Sequence, residues 1–180
     1  MKKTMKRTAK KWISAALLCL CLGLMAGTVS AQAGTVKNAT VKKVGKKYYG
    51  YKKNGKKIKK KWAIVKSGKK KYKYYFGKNG VAYTGVRAIG KTAFDTKLYY
   101  FNKKGRLQTS KTNTLQKLSA EGAELKPLQD KIKKLDKKNS FKEYINSAEF
   151  CGATFCKYKN FSIYFKVEDG KKLVEYVGLD

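Results

Sequence analysis

An internal repeat of 25 residues constrains this chain more than any other feature of its sequence. Three segments align with one another at two successive offsets of 25: Tyr49–Gly55, Tyr74–Gly80 and Tyr99–Gly105. Short segments repeated at a fixed period are typical of units that bury their apolar faces only by stacking on neighbours, and about three units are the minimum for stability. The sequence therefore predicts a short array of stacked units here.

Each repeat has the local chemistry of a β-hairpin. An aromatic, β-favouring run leads into a glycine-containing turn, and Asn54-Gly55 suits a type I′ hairpin turn. Ile58, Tyr83 and Gln108 occupy equivalent places on the predicted returning strands. Because alternate residues of a strand point to one face, the aromatic side chains of each repeat are predicted to stack on those of the next. These residues are Tyr49, Tyr51, Tyr74, Phe76, Tyr99 and Phe101.

The positive charge of the chain is concentrated in this part. Between Gly34 and Ala120 there are 26 Lys or Arg residues and one acid, Asp95, whereas residues 121–180 carry 12 basic and 10 acidic residues. Such an asymmetry is typical of a polycationic half that meets a polyanion, followed by a nearly balanced half that behaves as an ordinary domain. A disordered lysine-rich tail is the alternative, but such tails are poor in aromatic residues.

The first 33 residues have the order of a secretory signal. Basic residues are followed by an apolar stretch from Trp12 to about Met25, which is typical of export signals. This stretch is shorter than the roughly 18 residues of a membrane-spanning helix, and Ala31 and Ala33 provide the small residues of a cleavage site. We predict cleavage after Ala33, which leaves a secreted protein without membrane attachment. An uncleaved N-terminal anchor is the alternative.

After the repeats the apolar pattern becomes helical. Apolar residues three or four positions apart between Leu115 and Leu135 predict two short helices, with Pro127 in the first turn of the second. A capping box, Ser140-x-x-Glu143, predicts a third short helix that ends near residue 147.

The last part of the sequence is strand-like. Residues 161–167 and 172–177 are predicted strands joined by a glycine-containing turn, and residues 155–158 could supply another. The predicted fold class is thus β-rich plus α+β. A short β-hairpin repeat solenoid over residues 34–110 is followed by a small domain, residues 111–180, of helices packed on an antiparallel sheet.

The sequence also limits the chemistry of the chain. It contains no histidine, which excludes Ser-His-Asp and Cys-His nucleophile systems and the usual zinc sites. We therefore predict no enzymatic activity, no catalytic residue, no metal and no cofactor. Two cysteines follow the predicted cleavage site, and Cys151 and Cys156 are predicted to form a disulfide in an oxidising exterior. Two reduced cysteines are the alternative.

The repeats resemble the cell-wall-binding repeats of Gram-positive surface proteins, of the choline-binding and glucan-binding type. The motif Tyr-Tyr-Phe-x-x-x-Gly carries the resemblance, which spans roughly Lys46 to Leu107. It implies a β-hairpin solenoid that binds sugars or choline in aromatic cages between successive turns. Because the family's choline cages rely on tryptophans and only Trp62 follows the predicted cleavage site, choline is not the expected ligand.

Aromatic residues and lysines of the repeats are the candidate ligand contacts. The aromatic rings could stack on sugars, with ordinary hairpin packing as the alternative. Dense lysine clusters are costly unless a polyanion neutralises them, and lysine binds phosphate as a mobile point charge; a merely solvated face is the alternative. The candidates are Tyr48, Trp62, Tyr72, Tyr83, Lys59, Lys60, Lys61, Lys69, Lys70 and Lys71.

These features together predict an exported cell-surface protein. Its repeats would attach it non-covalently to teichoic acid of the cell wall or to another anionic glycan. The alternative is an exported binder of nucleic acid or host glycosaminoglycan, because lysines interleaved with aromatic residues also suit single strands. The sequence indicates no partner for residues 111–180.

Overall fold

The computed structural model describes residues 34–179, and the predicted signal segment lies outside the described residues. These residues belong to one compact unit. Within the described part, the chain is β-rich, with ten strands and two α-helices. In chain order the elements are β1 (Thr40–Val44), β2 (Lys47–Tyr51), β3 (Lys61–Ser67), β4 (Lys70–Phe76), β5 (Gly85–Ile89), β6 (Lys97–Phe101), α1 (Thr109–Leu118), α2 (Leu125–Leu135), β7 (Lys142–Ser147), a 3-10 helix (Ala148–Phe150), β8 (Ala153–Lys157), β9 (Phe161–Glu168) and β10 (Lys171–Leu179).

The first six strands form three antiparallel hairpins, one for each repeat. β1 pairs with β2, β3 with β4 and β5 with β6. Two-residue turns at Gly45-Lys46 and Gly68-Lys69 close the first two hairpins, and a longer loop over residues 90–96 closes the third. Each repeat thus contains a hairpin, but the hairpin closes at these turns and not at the predicted Asn54-Gly55 turn or its equivalents. The solenoid stays a prediction.

The turn that contains Asn54-Gly55 connects β2 to a short returning segment. Gly55 has a φ of 76° and Asn54 is not among the residues with positive φ, so the predicted type I′ turn is wrong. Gly55 N donates to Lys52 O over 3.0 Å, and Lys52 N donates to Lys56 O over 2.9 Å. This is a type I turn followed by a left-handed glycine, in which only the glycine needs positive φ. The same hydrogen bonds recur in the next two repeats.

Successive repeats contact each other in an equivalent way. Ala82 N donates to Tyr48 O over 2.8 Å, and 25 residues later Leu107 N donates to Lys73 O over 2.8 Å. The period of the sequence is therefore also the period of the contacts between repeats.

The six repeated aromatic residues do not all stack from one repeat onto the next as predicted. Tyr74 and Phe76 stack with their ring centroids 5.9 Å apart in a core shared by the first two hairpins. Tyr49 and Tyr51 are only half-buried. Gly50 accounts for the difference between the first repeat and the later ones, which have Tyr75 and Tyr100 at the equivalent position. The Phe76 ring packs where a Cβ on Gly50 would lie.

A second core joins the third hairpin to the C-terminal part. Val86 and Leu98 are fully buried in it together with residues of both helices and of the C-terminal sheet. The α1 residue Thr112 accepts a hydrogen bond from Tyr100 N over 3.1 Å. The core thus extends across the boundary predicted between residues 110 and 111.

The C-terminal sheet has the antiparallel strand order β10-β9-β8-β7. Both predicted helices are confirmed, with Pro127 in the first turn of α2, but the predicted third helix is wrong because β7 occupies those residues. Tyr144 of β7 stacks on Phe155 of β8 with ring centroids 4.9 Å apart. This cross-strand packing outweighs the local capping signal. Among the described residues, no helix has the length and apolar character needed to span a membrane.

Candidate ligand-binding clefts

The lysines singled out from the sequence lie at opposite ends of the second hairpin. Lys59–Lys61 lie at the start of β3 and Lys69–Lys71 at the turn between β3 and β4, and all six are exposed. The length of β3 separates the two groups by about 20 Å at the usual rise per strand residue. They therefore form two patches and do not converge on one site.

Trp62 lies inside an aromatic cluster. Its ring centroid is 5.2 Å from that of Tyr75 and 5.0 Å from that of Tyr99, and only 7% of the residue is exposed. The Lys73 ammonium lies 4.4 Å from the centroid of the indole. Trp62 therefore has the environment of a packing residue that joins the second and third hairpins.

Tyr72 is covered by a cation. The guanidinium carbon of Arg106 lies 3.7 Å from the centroid of the Tyr72 ring, and Arg106 Nε donates to Tyr74 Oη over 3.2 Å. The hydrogen bond holds the guanidinium in place on the ring. A sugar would have to displace Arg106 to stack on that face of Tyr72.

The remaining two aromatic candidates line a common cleft between successive repeats, which we call the repeat cleft. Its volume is about 320 Å³. Tyr48 and Tyr83 are half-buried there, beside the basic residues Lys46, Lys47 and Arg87. The sequence reasoning missed these three cations, although Lys46 and Lys47 directly precede Tyr48.

Backbone contacts set the geometry of the repeat cleft. The hydrogen bond between Ala82 N and Tyr48 O holds the two sides of the cleft, which carry Tyr48 and Tyr83, next to each other. Tyr83 N also donates to Tyr75 O over 2.9 Å. Arg87 Nε donates to Thr84 O over 3.1 Å, and its guanidinium carbon lies 5.4 Å from the Tyr83 ring centroid. Arg87 is therefore held beside the Tyr83 ring. In this arrangement the guanidinium can contact an anionic group of a ligand whose ring stacks on Tyr83.

A larger cleft of about 610 Å³ lies next to the repeat cleft and shares Lys46, Thr84 and Arg87 with it. It lies between the repeats and the C-terminal part, and we call it the junction cleft. One acid, Asp136, lines it. Its basic residues are Lys46, Arg87, Lys103, Lys137, Lys138 and Lys159.

The basic residues of the repeats far outnumber their one acid, Asp95. Ion pairs such as Lys166–Glu168 and Lys172–Glu143 lie within the C-terminal half. Asp95 accepts hydrogen bonds from Lys91 N at 2.7 Å and Thr92 N at 2.6 Å. These two bonds lower the pKa of the Asp95 carboxyl group, whose hydrogen-bond donors belong to its own loop. The repeats therefore present a positive surface to solvent.

The two cysteines are free thiols in this structure, which departs from the predicted disulfide. Cys151 is exposed after the 3-10 helix. Cys156 is buried beneath α2, where Gln129 Nε2 lies 3.3 Å from its Sγ, and burial raises the pKa of this thiol to about 11. Among residues 34–179 no group of three or more Cys, Asp or Glu residues could hold a metal ion.

No protein-family model matches the chain, and no curated protein matches it. Similar solved structures include alternansucrase in complex with isomaltononaose, with a TM-score of 0.31 and 20% identity over 75% of this chain and 8% of that chain. The multimodular pneumococcal cell wall endolysin from phage Cp-1, complexed with choline, has a TM-score of 0.19 and 16% identity over 77% of this chain and 32% of that chain. The modular Cpl-1 endolysin complexed with a peptidoglycan analogue has a TM-score of 0.19 and 16% identity over 77% of this chain and 31% of that chain. The chain spans less than a third of each of these proteins, and TM-scores this low do not establish a common fold.

Proposed function

We propose that this chain is an exported cell-surface protein, without enzymatic activity, that attaches non-covalently to an anionic cell-wall polymer such as teichoic acid or to another anionic glycan. The observation that carries the proposal is the repeat cleft, where Tyr48 and Tyr83 lie beside three basic residues. Aromatic faces suit the apolar faces of sugar rings, and the cations suit phosphate or carboxylate groups. The cleft therefore has the two kinds of group that an anionic glycan requires.

Repetition supports the same ligand class. Single exposed charge pairs contribute only about 0–1 kcal/mol, so one cleft would bind a charged sugar weakly. A polymer that contacts several repeats at once gains affinity because its later contacts are intramolecular. The equivalent hydrogen bonds between repeats support a regular array, and the solenoid is part of this proposal.

Binding to purified Gram-positive walls tests the proposal. We expect residues 34–180 to bind walls at 0.1 M salt and to be released toward 1 M, because the screening length falls from about 10 Å to about 3 Å. The variant K46Q/K47Q/R87Q should bind more weakly. The control K43Q/K52Q/K53Q removes the same charge from exposed residues outside the cleft and should bind nearly as well as the unmodified protein.

The other outcomes discriminate between ligands. Undiminished binding at 1 M salt to walls stripped of teichoic acid would refute the charge mechanism. Tighter binding to single-stranded nucleic acid or heparin than to walls would favour the alternative partner.

A further inference from the structure

We infer that the C-terminal part of the chain supplies part of the binding site, and that the junction cleft holds phosphate groups of the same polymer. The inference rests on the proposed function and extends it to residues outside the repeats. It predicts that the repeats alone do not make the complete site.

The basic residues of the junction cleft come from both parts of the chain. Lys46, Arg87 and Lys103 belong to the repeats, whereas three lysines come from the end of α2 and from the turn before β9. These three are Lys137, Lys138 and Lys159. None of the six takes part in an ion pair among residues 34–179. Six cations around one concavity repel each other, and binding of a polyanion removes that cost.

The acid of the cleft is turned toward the backbone of the third repeat. Asp136 Oδ2 accepts a hydrogen bond from Val86 N over 3.2 Å. Gly85 permits this approach, because a Cβ at that position would lie 2.0 Å from the same carboxylate oxygen. The contact fixes the end of α2, and with it the two lysines that follow, beside Arg87.

The charge and the lining residues of the junction cleft suit a polymer in which phosphate groups alternate with short organic segments. The carboxylate of Asp136 and the C-terminal carbonyls of α2 reduce the positive potential, but six cations against one acid leave a large excess. Tyr100 and Leu135 add apolar surface to the lining. Because Lys46 and Arg87 line both clefts, one polymer chain can pass from the repeat cleft into the junction cleft. Lysine contacts phosphate as a mobile point charge and tolerates an irregular polymer.

Titration of residues 34–180 with purified teichoic acid tests the inference. The variant K137Q/K138Q/K159Q should bind about ten-fold more weakly and lose affinity less steeply with salt, as expected for the loss of three charge contacts. The control K117Q/K133Q/K134Q removes the same charge from exposed helix positions outside the cleft. Its affinity for teichoic acid should stay within about two-fold of that of the unmodified protein. D136N removes the one acid that lines the cleft and keeps a side-chain oxygen that can accept from Val86 N, so it should bind more tightly. Thermal unfolding of each variant shows whether it is folded.

The outcomes separate this inference from the function on which it rests. If the unmodified protein binds neither purified walls nor teichoic acid, the proposed function fails. If it binds walls but not teichoic acid, the phosphate ligand of the junction cleft is overturned while the proposed function stands. If it binds and the three cleft substitutions change affinity no more than the control does, the junction cleft is overturned while the repeat cleft stands. An equal loss of affinity for teichoic acid in both triple variants would show that binding responds to net charge alone, and it would also overturn the inference.

Discussion

A fragment that begins at the boundary predicted from the sequence, residue 111, should lack part of its hydrophobic core. Val86 and Leu98 of the third hairpin are fully buried against the helices and the C-terminal sheet. Burying each side chain contributes about 1.5–3 kcal/mol, so a chain that begins at residue 111 loses about 3–6 kcal/mol from these two alone. A domain of this size rarely has more than about 3–5 kcal/mol of stability. We therefore expect residues 111–180 to be unfolded and residues 84–180 to fold.

Amide dispersion in NMR spectra and thermal unfolding followed by circular dichroism measure the difference between the two fragments. In residues 34–180, Leu98→Ala should lower the free energy of unfolding by about 2–5 kcal/mol, because it leaves a cavity in the shared core. Phe94→Ala in the preceding loop is the control: Phe94 is 98% exposed, and its loss should change stability by less than about 0.5 kcal/mol. A dispersed spectrum and cooperative unfolding of residues 111–180 would refute the reasoning.

Two further predictions concern single positions. Gly85→Ala should lower the free energy of unfolding by about 1–3 kcal/mol, because Gly85 has a φ of 73° and its added Cβ would meet the Asp136 carboxylate; denaturant unfolding measures this, and an unchanged midpoint would contradict the close approach. In the native protein Cys151 should react with a maleimide at pH 7, whereas Cys156 should stay unmodified until the protein unfolds, because it is buried and burial raises the pKa of its thiol. Mass spectrometry with and without prior reduction checks both, since a thiol count of zero before reduction would instead reveal the disulfide.

Local patterns were enough to predict much of the fold. The 25-residue period identified the hairpin units, and the returning residues Ile58, Tyr83 and Gln108 all donate backbone hydrogen bonds to carbonyls at equivalent positions. The spacing of leucines likewise identified α1 and α2. These features depend on contacts between residues close in sequence, so the sequence reports them directly. The third helix was the exception, because its capping box competed with pairing to β8, which local spacing does not reveal.

The sequence by itself determined that the repeats are basic, aromatic and built as hairpins, and that the chain lacks histidine chemistry. Tertiary structure alone decided which of those residues meet. It buried Trp62, covered Tyr72 with Arg106 and separated the two lysine groups by the length of β3. It also brought Lys46 and Arg87 to the same cleft as lysines from the end of α2. Such convergence depends on how the third hairpin packs on the helices, and that packing joins residues too distant in the chain for any repeat or period to report.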